Sequence, residues 1–144
     1  SWPGHIEAGL RSDALVELSD KAPTLLQLVD EEVPDYMTGK SLLPILIGDA
    51  LPNYHRDFVR CEYYDALQAS DGTFATMYRD QQYKLVVYHG RSYGELYDLE
   101  EDPDEFDNQW ETPAFIAKRA ELMKSSFDAS MLAIDRGPRR IGPI

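Results

Sequence analysis

Cysteine is nearly missing from this chain: Cys61 stands alone among 144 residues. One thiol excludes an internal disulfide framework and any multi-cysteine zinc site. Its surroundings, Phe58-Val59-Arg60-Cys61-Glu62-Tyr63-Tyr64, are apolar and aromatic. The expectation is a buried structural thiol rather than a nucleophile, which would need a base close by. Histidine is scarce as well. His5, His55 and His89 are scattered, with no paired spacing suited to a metal. Gly-rich phosphate loops, a Gly-x-Ser-x-Gly nucleophile turn and internal repeats are absent. No apolar run reaches the roughly 18–20 residues of a membrane-crossing helix. No basic segment followed by an apolar one opens the chain, so no leader is visible and the compartment cannot be read.

Positive charge is also in short supply. Lys and Arg number 14 against 26 Asp and Glu, a net charge of −12. Such a surface repels nucleic acid and anionic membranes, so neither is expected as a partner. The acids gather at Glu100–Asp107, with a smaller group at Asp30–Glu32. The expectation is a solvated loop. A calcium loop of the EF-hand type would need alternate oxygen donors around a central Gly; that spacing is lacking, and Pro103 interrupts the run.

What is present reads as an α+β chain. A 43% hydrophobic and 28% charged composition is ordinary globular usage, and the length suits about one domain. Trp2-Pro3-Gly4 is a turn. Ser19 or Asp20 can cap a helix with Pro23 in its first turn, carrying Ala22, Leu25, Leu26 and Val29 at helical spacing and ending near Asp30. Gly39–Gly48 suggests one or two helical turns anchored by leucines, and Asp49–Asp57 reads as a linker.

The character then changes. Phe58–Tyr64, Thr73–Arg79, Tyr83–Tyr88 and Glu95–Leu99 are aromatic and β-branched, separated by turn residues at Asp71-Gly72, Asp80-Gln81-Gln82 and Gly90–Gly94. They predict a four-stranded antiparallel meander. Tyr83, Leu85 and Val87 share one face; Lys84, Val86 and Tyr88 share the other, which is too apolar to stand in water. The expected cover for that second face is a long C-terminal helix. It starts at Thr112-Pro113, presents the stripe Ile116, Ala120, Met123, Phe127, Met131 and Ile134, and stops at Gly137-Pro138. Arg136–Ile144 reads as an extended tail.

Four stretches carry a family resemblance. They are Pro3-Gly4-His5-Ile6-Glu7-Ala8-Gly9; Val16-Glu17-Leu18-Ser19-Asp20-Lys21-Ala22-Pro23-Thr24-Leu25-Leu26; Gly39-Lys40-Ser41-Leu42-Leu43-Pro44-Ile45-Leu46-Ile47-Gly48; and Glu95-Leu96-Tyr97-Asp98-Leu99-Glu100-Glu101-Asp102-Pro103-Asp104-Glu105-Phe106-Asp107-Asn108. In this order they resemble the C-terminal part of a sulfatase, of the alkaline phosphatase-like superfamily. Val29-Asp30 departs from the Ala-Gly usual after the first helix, and Gln109 from a common Leu.

The resemblance implies a division of the chain: residues 1–48 as the last strand–helix remnant of the large α/β domain, 49–135 as the small sheet-plus-helix domain, and 136–144 as a tail. It implies a parent sulfuric ester hydrolase using a formylglycine nucleophile and calcium, both placed upstream of Pro3-Gly4. Cys61 lacks the Cys-x-Pro-x-Arg context of the modified residue. No catalytic or metal residue is therefore carried over, and the chain by itself is expected to be inactive. Its expected partners are the rest of the sulfatase chain and a sulfate ester, with self-association through exposed apolar surface. As substrate-contacting residues of a cleft rim, Arg60, Glu62, Tyr63, Tyr64 and His89 are singled out: Arg can grip an anion bidentately, and the rings can stack on a sugar or aryl group. A phosphodiesterase or phosphonate hydrolase of the same superfamily, and a non-enzymatic binding or assembly module, are the alternatives.

Overall fold

The computed structural model describes residues 2–6, 8–65 and 72–134. The chain divides into two compact units, one built on Ser1–Arg56 and one on Asp57–Leu132. The expected tail 136–144 and the stop at Gly137-Pro138 lie outside the described residues.

In the first unit a 3-10 turn, Leu18–Asp20, runs directly into α1, Lys21–Leu28. Asp20 stands at the N-terminus of α1, but its carboxylate does not cap that helix. It turns back to accept the N–H of Glu17 (2.8 Å) and reaches across to the N–H of Lys40 (2.8 Å). Arg56 binds both Asp20 and Glu17. The fully buried carboxylate is thus satisfied by two backbone amides and a guanidinium, as a buried charge must be. His55 closes the cluster, with Nε2 3.1 Å from the Lys40 carbonyl oxygen and 3.5 Å from Asp20. The presumed linker Asp49–Asp57 is therefore anchored at His55 and Arg56. Thr24 joins as well, donating to the Asp20 carbonyl and accepting the N–H of Leu42 (2.8 Å). Gly39 is required where the segments meet, because a Cβ there would run into the backbone of Ser19.

The apolar helical spacing in α1 does not mark its buried face. Pro23 and Thr24 are buried, whereas Leu25 and Val29 are exposed. Asp30 follows in the left-handed region (φ 59°), where the sulfatase pattern has glycine, and Glu31 N–H returns to the Leu26 carbonyl to end the helix. A single turn, α2, spans Leu43–Leu46, and its buried anchor is Ile45 rather than a leucine.

The second unit is the expected meander: β1 Val59–Tyr64, β2 Phe74–Arg79, β3 Tyr83–Tyr88 and β4 Gly94–Asp98, in spatial order 1-2-3-4 with every pair antiparallel. Local chemistry sets the turns. Asp80 accepts the N–H groups of Gln82 (2.9 Å) and Tyr83 (2.6 Å) and so closes the β2–β3 hairpin. A short 3-10 turn, Pro113–Phe115, leads from Thr112 into α3, Ile116–Leu132.

Two expectations about α3 need correction. The helix covers the face bearing Tyr78, Leu85 and Leu96, and leaves the Val86 and Tyr88 face uncovered by it. It does so with Leu122, Ser126 and Ala129, while Ile116, Ala120, Met123, Phe127, Met131 and Ile134 are all exposed. The cause is size. Tyr78 and Trp110 already fill the interface with rings, and small residues on the helix let it come close enough to pack. Trp110 also lies against Gly94, where any Cβ would enter the indole.

Cys61 is exposed, not buried, and sits on the face that α3 does not cover. The acidic loop after β4 is ordered from within. Asp102 accepts the N–H groups of Phe106 (3.1 Å) and Asp107 (2.8 Å), and Glu105 pairs with Lys84.

Candidate functional site

Cross-strand register builds one cleft. Glu62 lies opposite Thr76 and Tyr64 opposite Phe74, so β1 and β2 bring these four to the same face. That is the face packed by α3. Beyond β3, His89 N–H bonds to the Phe74 carbonyl (2.8 Å) and extends the ladder by one residue. Its Nε2 is 2.7 Å from the Thr76 hydroxyl. Together with Tyr63 and Ala75 these residues line a cleft of about 400 Å³. Tyr64 and Phe74 meet edge to face, with ring centroids 4.5 Å apart.

Of the five sequence-derived rim residues, Glu62, Tyr63, Tyr64 and His89 line this cleft. Arg60 does not. Its guanidinium donates to Glu62 Oε1 (2.6 Å) and to the Ser130 hydroxyl (3.1 Å), so it holds the acid in place. The arrangement therefore shows an exposed carboxylate to the cleft and a largely covered cation, with side-chain exposures of 63% and 13%. Phe74 and Thr76 were missed by sequence reasoning. The hairpin register could have supplied them once the turn at Asp71-Gly72 was fixed.

The opposite face carries a second depression of about 320 Å³, with Cys61, Met77, Val86 and Tyr88 among its walls. Tyr88 donates its hydroxyl to Glu95 (2.7 Å), and that bond, reinforced by burial, pushes its pKa up to about 12. It is a protonated donor at any ordinary pH.

The described residues do not suit the metal or nucleophile of a sulfatase centre. Among them no three His, Cys, Asp or Glu side chains converge so as to hold a metal ion. Asp102, the best placed acid of the loop, is consumed by backbone amides. Cys61 runs into Glu62 and Tyr63. Neither calcium nor formylglycine fits here, and no reaction step is derived through them. Also among the described residues, no helix is long and apolar enough to cross a membrane.

Comparison with known proteins agrees with the sequence pattern. Residues 1–130 match the family described as N-sulphoglucosamine sulphohydrolase, C-terminal. A curated N-acetylglucosamine-6-O-sulfatase of Bacteroides thetaiotaomicron is 31% identical over 125 residues, covering 85% of this chain and 22% of that protein. A structure solved with its substrate D-glucosamine-2-N,6-O-disulfate superposes with a TM-score of 0.79 at 27% identity, over 98% of this chain and 29% of the other. A phosphonate monoester hydrolase from Silicibacter pomeroyi gives 0.68 at 25% identity, over 81% and 25%. This chain belongs to the sulfatases, as a member of the N-sulphoglucosamine sulphohydrolase C-terminal family. It spans less than a third of the length of the two sulfatase relatives from Bacteroides thetaiotaomicron and Formosa agariphila that it matches.

Proposed function

We propose that this chain serves a sulfuric ester hydrolase as its C-terminal part, supporting the fold and rimming the substrate cleft with Glu62, Tyr63, Tyr64 and His89, with Arg60 holding Glu62 in place. The reacting groups lie elsewhere in the longer protein, and the chain by itself turns over no sulfate ester. The observation that carries this reading is the family match over residues 1–130, joined to the lack, among the described residues, of any cluster suited to the metal. Residues 1–48 would close the large domain, 49–135 form the small one, and 136–144 run on as a tail. Calcium and formylglycine would be supplied by the remainder.

The likeness to a phosphonate monoester hydrolase supports a second reading, in which the parent cleaves a phosphorus ester instead. The gene tests the first reading. The frame encoding Ser1 should extend upstream and contain a Cys-x-Pro-x-Arg or Ser-x-Pro-x-Arg text. A start codon at Ser1, or an upstream region without that text, would overturn the proposal.

A further inference from the structure

We infer that the cleft between β1 and β2 holds the uncharged, hydroxylated ring of a sugar and leaves the sulfate group outside. This rests on the reading that the cleft is part of the substrate rim. The lining contains the rings of Tyr63, Tyr64 and Phe74, two of them phenolic, with one carboxylate, the Thr76 hydroxyl and one imidazole, and neither Lys nor Arg. Arg60, the cation bonded to the lining acid, is held by Glu62 and Ser130 and is mostly covered.

Each group suits a neutral ring. The faces of Tyr64 and Phe74 carry negative quadrupole charge, which attracts the weakly positive C–H bonds on one side of a pyranose. Glu62 accepts O–H donors, with acceptor capacity beyond the one oxygen bonded to Arg60. Thr76 and His89 already form a bonded pair, so both are oriented before a ligand arrives. A sulfate in the same place would set its oxygens against the exposed Glu62 carboxylate, while the guanidinium paired with that acid is mostly covered and offers the anion little. A built anion site would show the reverse, with the guanidinium facing the cleft and the acid behind it.

The test is an NMR titration of the 144-residue chain, following Tyr64, Thr76 and His89, with N-acetylglucosamine, its 6-sulfate and inorganic sulfate in separate arms. Both sugars should shift the same three residues with Kd values within about threefold of each other, and inorganic sulfate should neither shift them nor compete. Tyr64→Ala, at an exposed position, should weaken both sugars at least about fivefold without unfolding the chain, which its amide spectrum will report. If the sulfated sugar binds more than about tenfold tighter, or inorganic sulfate displaces it, this inference is overturned while the cleft remains a substrate rim. If neither sugar shifts the three residues, the rim reading itself fails, and this inference with it.

Discussion

The carboxylate of Asp20 accepts the backbone N–H of Lys40 at 2.8 Å, joining two segments twenty positions apart through a side chain with no solvent exposure. Arg56 binds the same carboxylate from a third segment. Asp20→Ala leaves two amides without their acceptor and Arg56 with Glu17 alone, so a loss of about 3–5 kcal/mol is expected. Thermal or urea unfolding of the purified variant measures it. A loss below about 1 kcal/mol would mean that the cluster is not what fastens Lys40 and Arg56 to α1.

The same cluster makes the first unit sensitive to acid. Burial lowers the pKa of His55 below its ordinary 6.5; Arg56 and Lys40 act in the same direction, against a pull upward from Asp20 and a hydrogen bond to Lys40. The folded state therefore binds fewer protons than the unfolded one. Its contribution is complete above 6.5 and is lost as pH falls through 6.5 toward the lowered folded value. The urea midpoint should drop between about pH 7.5 and about pH 5.5, and His55→Gln should flatten that slope. An unchanged slope in the variant would assign the acid sensitivity to another group.

Asn108 acts as a surrogate neighbour for the outer strand. Its Oδ1 accepts the N–H groups of Leu96 and Trp110 (both 3.0 Å), and its Nδ2 donates to the Gly94 carbonyl (3.0 Å). The open edge of β4 is thereby occupied, and the indole is set over Gly94. Asn108→Ala should cost about 2–3 kcal/mol, with faster amide exchange at Leu96 as the local readout. Exchange at Leu96 that matches the parent chain would show that the asparagine is dispensable to the edge.

The two sides of α3 should respond differently to truncation. Leu122 is 2% exposed and Phe127 is 70% exposed. Leu122→Ala should lose about 2–5 kcal/mol. Phe127→Ala should stay within about 0.5 kcal/mol, the range of surface substitutions. Equal losses would contradict the packing of the Leu122 side, and not the Phe127 side, against the sheet.

The sheet was legible in the sequence because its signals are local. Asp80 and Gly90 mark turns by their own chemistry, and Tyr83–Tyr88 alternates residue by residue, so strand limits followed within a residue of those observed. The buried side of α3 was not legible. Counting Met and Phe as inward points to the wrong stripe when the partner face already holds Tyr78 and Trp110 and small residues fit better. Cys61 failed for a related reason, since nothing in its neighbours tells which face of the sheet the helix takes. The Asp20 cluster escaped notice because its partners come from positions 17, 40, 55 and 56, and long-range pairing leaves no periodic trace. In the cleft, the residues on β1 and His89 were chosen for chemistry alone; Phe74 and Thr76 became visible only through the register with Glu62 and Tyr64.

The most direct check of the account is hydrolysis of an aryl sulfate by the pure 144-residue chain in the presence of calcium. The expected result is no release above the rate without protein, because on the proposed reading the reacting groups lie elsewhere in the longer protein. Turnover that rises in proportion to chain concentration and is lost when calcium is chelated would contradict it.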